Sequence, residues 1–129
     1  MKLDKVKYWE DLSDYDLETA EAMFQTRRWL YVGFMCHQTI EKIFKAYWSS
    51  KMEASSPMSH NLINIAQSCG LNFLMSEEQK LFISEIMPLN IESRYPSYKQ
   101  SIAEGLSEDR CRELIDNTKS LQAWIKERL

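Results

Sequence analysis

The sequence predicts an all-α protein folded as a single domain, with four main helices and one short extra helix. Three observations predict it. The chain of 129 residues carries only three Gly and three Pro, too few to punctuate the many tight turns of a sandwich or barrel. Apolar residues recur at steps of three and four over long stretches. Helix-start signals, of which Ser76-Glu77-Glu78-Gln79 is the clearest, stand just ahead of such stretches. At this length one core buries roughly two-thirds of the unfolded surface, and neither an internal repeat nor an inter-domain linker divides residues 1–129.

The first helix is expected over about Lys5 to Thr26, with Trp9, Leu12, Asp16, Ala20, Met23 and Arg27 on one stripe. Asp16 interrupts that stripe, and Ser13 offers an alternative, later cap. A second helix spans about Trp29 to Lys51, its central face being Trp29, Val32, Cys36, Ile40, Ile43 and Tyr47. Tyr31, Phe34 and Met35 lie off that face, so this half is expected to be buried against more than one neighbour, within the bundle or in a second subunit. Residues 53–59 read as a loop, with Ser59 capping a short helix from His60 to about Ser68 and Gly70 stopping it. The Ser76 capping box starts a helix bearing Leu81, Phe82, Ile86 and Leu89, which Pro88 kinks or ends. Arg94-Tyr95-Pro96 marks an extended exit, because the residue before a proline avoids the α region. The last helix begins near Ser107 and carries Cys111, Leu114, Ile115, Thr118, Leu121 and Ile125, with acidic residues first and Lys126 and Arg128 last, matching the helix dipole.

Composition narrows the function classes. Sixteen Lys+Arg against 19 Asp+Glu leave a formal charge of −3, without the basic excess of a dedicated duplex-DNA binder. Cys36, Cys69 and Cys111 are odd in number and fall at apolar helical positions, so they read as small buried hydrophobes in a reducing compartment. Met1 to Tyr8 holds three lysines but no apolar h-region follows, and the longest apolar run is Trp29 to Cys36. Neither a signal peptide nor a membrane span is expected, and the location expected is the cytoplasm.

The informative polar signature sits in the second helix. Gln38, Glu41, Lys42 and Lys45 occur at i, i+3, i+4 and i+7, which is one helical face. The plain interpretation is a solvated face with a Glu41 to Lys45 pair worth a few tenths of a kcal/mol; the sharper one is that these groups act together. A metal site is not expected, since His37 and Glu41 share a face but His60 is the other histidine and no cysteine pair has ligand spacing. Nor is a resident cofactor. Nucleophilic catalysis lacks a Gly-x-Ser-x-Gly elbow, and Cys36 points about 100° away from His37. Glycines at 33, 70 and 105 build no phosphate-binding loop, so a bound phosphate would need side chains such as Lys42, Lys45 and Arg94.

The order of these motifs resembles the HEPN domain family (higher eukaryotes and prokaryotes nucleotide-binding). Carrying the resemblance are Trp9 with Asp16-Leu17 and Ala20, then Gln38-x-x-Glu41-Lys42-x-x-Lys45-Ala46, then Ser59-His60-x-Leu62, then Arg94-Tyr95-Pro96. They span roughly residues 8–125 and are similar to the small stand-alone prokaryotic members. The resemblance implies an up-and-down helical bundle, usually a homodimer, often paired with a small nucleotidyltransferase as a toxin–antitoxin module. It also implies a polar cleft drawing on Asp16, Gln38, Lys42, Lys45, His60 and Arg94, walled by Tyr95 and Pro96, in which a nucleotide or RNA phosphate meets the lysines and the arginine. Ribonuclease members carry Arg followed after four to six residues by His. Here Lys99, Gln100 and Ser101 stand at that distance from Arg94, so the obvious general acid or base is missing.

The leading expectation is therefore a non-catalytic module that binds a nucleotide or RNA end and serves a nucleotidyltransferase. One rival is a metal-independent ribonuclease toxin using His60 or His37 with Arg94. Another is an assembly module without a small ligand, docking through Tyr31, Phe34 and Met35.

Overall fold

The computed structural model describes residues 2–91 and 96–129; Arg94 and Tyr95 lie outside them. Six α-helices are present among the described residues: α1 (Lys2–Gln25), α2 (Trp29–Lys51), α3 (Leu62–Ser68), α4 (Glu77–Ile86), α5 (Pro96–Glu104) and α6 (Glu108–Lys126). Short 3-10 turns cover Leu71–Phe73 and Met87–Leu89. The four main helices expected from the sequence are α1, α2, α4 and α6, and the short extra one is α3.

The α1–α2 hairpin forms the frame. Arg28 N–H donates to Met23 O at 2.8 Å and Arg27 N–H to Phe24 O at 3.1 Å, the two bonds of a Schellman turn, with Arg27 in the left-handed region at φ 59°. A non-glycine residue there costs on the order of 1 kcal/mol, offset by the contacts that the reversal permits. Among them, Phe24 and Trp29 meet edge to face at 5.3 Å. Helix α1 starts at Lys2 and runs unbroken past Ser13, which is not a cap: it is buried in the seam and its Oγ donates to Thr39 O at 2.7 Å.

Helix α2 is the central element, with 14 of its 23 residues buried. Ile40, Ile43 and Phe44 are among its fully buried side chains. Where α2 passes Leu89 and Leu106, a Cβ on Gly33 would come within 3.2 Å of Leu89 Cδ1, so glycine sets that approach. Helix α6 closes the bundle with Cys111, Leu114, Ile115, Thr118, Leu121 and Ile125, the apolar stripe its spacing predicts. Ser107 caps it by accepting from Arg110 N–H at 3.1 Å, and Glu108 and Asp109 sit in its first turn. A polar seam joins α6 to α1: Gln122 Nε2 donates to Ser13 Oγ at 2.9 Å and to Asp14 at 3.0 Å, Lys126 pairs with Asp14 at 2.6 Å, and Lys119 pairs with Glu21.

Several local expectations are corrected. Asn61, not Ser59, caps α3, its Oδ1 accepting from Asn64 N–H; Ser59 Oγ holds the Asn61 N–H instead, so the helix begins two residues later. Leu81 is 61% exposed, and Ile83, two residues on, takes the inward position beside Phe82 and Ile86. Tyr31 is half exposed and Phe34 and Met35 are only partly buried, so the bundle itself does not enclose the first half of α2 on all sides. Pro96 opens α5 as its first residue, where the fixed φ and missing N–H are tolerated, a helix not expected from the sequence; the extended exit expected at Arg94 and Tyr95 lies outside the described residues. The Ser76 capping box is formed in both directions, and α4 stops at Ile86, just ahead of Pro88. No helix among the described residues is long and apolar enough to cross a membrane.

Candidate functional site

The antiparallel register that brings Ser13 to Thr39 also brings Trp9 to Lys45 and Asp16 to Lys42. Lys42 Nζ pairs with Asp16 at 3.0 Å, both side chains being less than one-fifth exposed. One residue back along α2, Glu41 is buried, with 2% of its side chain exposed. Lys45 pairs with it at 3.2 Å and lies 5.2 Å from the centre of the Trp9 ring, adding a cation–π contact. The solvated-face interpretation therefore fails for Glu41 and Lys45, which are interior groups.

His60 completes the arrangement from the segment ahead of α3. Its Nδ1 stands 3.1 and 3.0 Å from the two Glu41 oxygens, while 58% of its side chain is exposed. With Nδ1–H donating to the carboxylate, Nε2 lies on the far side of the ring and has no partner among the described residues. A buried carboxylate requires such company, because its desolvation is repaid only when hydrogen bonds satisfy its oxygens. Glu41 thus holds both a buried ammonium and an exposed imidazole.

His37 is on the same helix but has another role. It is 1% exposed and its Nδ1 meets Gln38 Oε1 at 3.2 Å. Burial pushes its pKa below the ordinary 6.5; the Gln38 contact and the nearby Glu41 carboxylate oppose that shift, and His60 and Lys42 assist it. A neutral His37 donating Nδ1–H to Gln38 is the consistent tautomer.

Glu41, Lys45 and His60 thus form one contacting group and Asp16 and Lys42 a separate pair, while the Gln38 side chain contacts His37. Arg94 and Tyr95 fall outside the described residues. Trp9, read from the sequence as a core position, is also the aromatic face beneath Lys45; the register of the α1–α2 hairpin is the signal that places it there. The two ion pairs neutralise the lysines, leaving Lys42 partly accessible and Lys45 nearly sealed. Among the described residues no three His, Cys, Asp or Glu side chains converge as a metal site would require.

None of the cysteines is among the partners of this cluster. Cys36 and Cys111 are fully buried at the α2–α6 contact, and burial pushes their thiols up to about 12 and about 11. Cys69 is partly buried, and its thiol is also raised by burial.

Comparison with known proteins identifies a family and a matching fold. The HEPN domain description matches residues 6–129. The crystal structure of TT1696 from Thermus thermophilus is similar in fold, with a TM-score of 0.82 at 15% identity, over 97% of this chain and 98% of that one. No curated protein sequence matches.

Proposed function

Since the chain belongs to the HEPN domain family of nucleotide- or RNA-related modules, we propose that it is a non-catalytic subunit that binds a nucleotide or RNA end at the α1–α2–His60 surface. In this reading it acts as a homodimer and serves a small nucleotidyltransferase as recognition subunit or toxin–antitoxin partner. The supporting observation is the exposed His60 imidazole fixed by the buried Glu41 carboxylate, one residue along the helix from the partly accessible Lys42.

The chemistry divides the cluster. His60, as the imidazolium, donates from Nε2–H to a phosphate oxygen, and the Lys42 ammonium donates to another; Gln38 adds an amide at the edge. Glu41, Lys45 and Trp9 orient His60 without touching ligand. Asp16 holds Lys42 ready and yields part of its ion pair when a phosphate arrives, since exchange between partly exposed partners is nearly balanced. Arg94, carried over from the family resemblance, adds a further cation.

Calorimetric titration of the purified protein with ATP, GTP and a short 5′-phosphorylated RNA tests this. The expected result is saturable binding to at least one of them, weakened about tenfold by Lys42→Ala or His60→Ala, in keeping with the loss of one charge-assisted hydrogen bond. Absence of saturable binding, alone or with a copurified nucleotidyltransferase, overturns it.

The Glu41–His60 pair also favours a second reading, a metal-independent ribonuclease in which His60 is the general base. That reading requires growth arrest and RNA cleavage on expression, both abolished by His60→Ala. Intact RNA in expressing cells removes it.

A further inference from the structure

A hollow lies away from this cluster, between α3, the 3-10 turn Leu71–Phe73 and α4, with a volume of about 260 Å³. Ile63, Met75 and Ile83 give it apolar walls, and Asn72 and Lys80 supply polar groups. Gly70, at φ 80°, makes the left-handed turn that ends α3 and starts the 3-10 turn carrying Asn72. The Asn72 side-chain oxygen is buried without a hydrogen-bond partner, an uncommon condition for an amide in a folded chain. Lys80 has a weak companion, Glu77 at 3.5 Å, whose side chain is 94% exposed.

We propose that this hollow binds a small aromatic carboxylate bearing a ring N–H, of the indole-3-acetate type. Its volume falls just under the range of roughly 300–1,000 Å³ for drug-sized ligands, which suits one bicyclic ring and little more. The isoleucine and methionine walls take the ring. The terminal amide torsion of asparagine is broad, so a partial turn of the Asn72 amide moves its oxygen out of the buried position, where it accepts from the ring N–H. The carboxylate replaces Glu77 at Lys80, an exchange that solvent screening makes easy. A single ammonium suits a carboxylate; a di- or triphosphate would bring charge that the apolar walls leave unpaired.

The test follows the methyl NMR signals of Ile63, Met75 and Ile83 during titration with three probes: indole-3-acetate, its N-methyl analogue lacking the donor, and 3-methylindole lacking the carboxylate. Saturable shifts confined to these methyls are expected with indole-3-acetate. N-methylation should weaken binding about fivefold, and removal of the carboxylate about threefold. In Asn72→Ala the first difference should vanish, and in Lys80→Met, at an exposed position, the second. No saturation up to the solubility limit, shifts centred elsewhere, or three probes of equal affinity would overturn the proposal. Because the analogue comparison is made in the unaltered chain, it stands even if Asn72→Ala folds poorly.

Discussion

Two faces of α2 carry opposite solutions to burial. Toward α6 the helix presents Cys36 and its apolar neighbours, where Cys36 lies near Thr118 and Cys111 and the thiols stay protonated. Toward α1 and the approach to α3 it buries Glu41 and Lys45 instead. The first face needs only shape and volume; the second holds together only while every charge keeps its partner. The difference shows which part of the helix was assigned to packing and which to positioning an exposed group, His60.

Breaking one partner on the charged face should give the largest effect. Glu41→Leu leaves the buried Lys45 ammonium uncompensated and should cost about 3–5 kcal/mol, read from the urea midpoint; Lys45→Met should cost less, because His60 still bonds Glu41, and adding it to Glu41→Leu should recover most of the loss. Single losses below about 1 kcal/mol would mean that the pair behaves as an ordinary surface contact. On the apolar face, Ile40→Val should cost about 0.5–1.5 kcal/mol by the same measurement, with no dependence on salt.

The pH response should also separate the faces. His37 has a folded pKa below its ordinary value of 6.5 because it is buried. Below 6.5 the unfolded chain therefore binds a proton that the folded chain refuses, and stability rises with pH. This contribution is complete above about 6.5 and is lost as pH falls toward the folded value. Unfolding curves from pH 7.5 to 4.5 should show that slope, reduced in His37→Gln; an unchanged slope in the variant would assign it elsewhere.

The smallest effect is kinetic. With thiols pushed up to about 12 and about 11, Cys36 and Cys111 should resist alkylation at pH 8 in the folded protein. Cys69, only partly buried, should label first, and all three should label alike in urea. Rapid labelling of Cys36 in the native state would show that the α2–α6 seam opens.

Much of the fold was legible because it rests on local signals. The Ser76 capping box and the stripe of α6 each state their outcome within a few residues. Leu81 was misplaced because apolar residues at 81, 82 and 83 offer three registers, and packing against the bundle chose two. Helix α5 was missed because Pro96 after Arg94-Tyr95 fits an extended exit as well as a helix start. The spacing of Gln38, Glu41, Lys42 and Lys45 picked out a polar group on α2, but not the burial of Glu41 and Lys45. A salt-bridged i, i+4 pair looks the same in sequence on a solvated face and inside a core; only the approach of Trp9 and His60 distinguishes them.

In the proposed function His60 is the ligand-facing imidazole, while His37 is buried within α2. Imidazole-nitrogen NMR during titration with a 5′-phosphorylated oligoribonucleotide measures that directly. The predicted result is a saturable shift at His60 Nε2, with the His37 signals unmoved. A shift at His37, or saturation by the RNA with His60 unchanged, would contradict it.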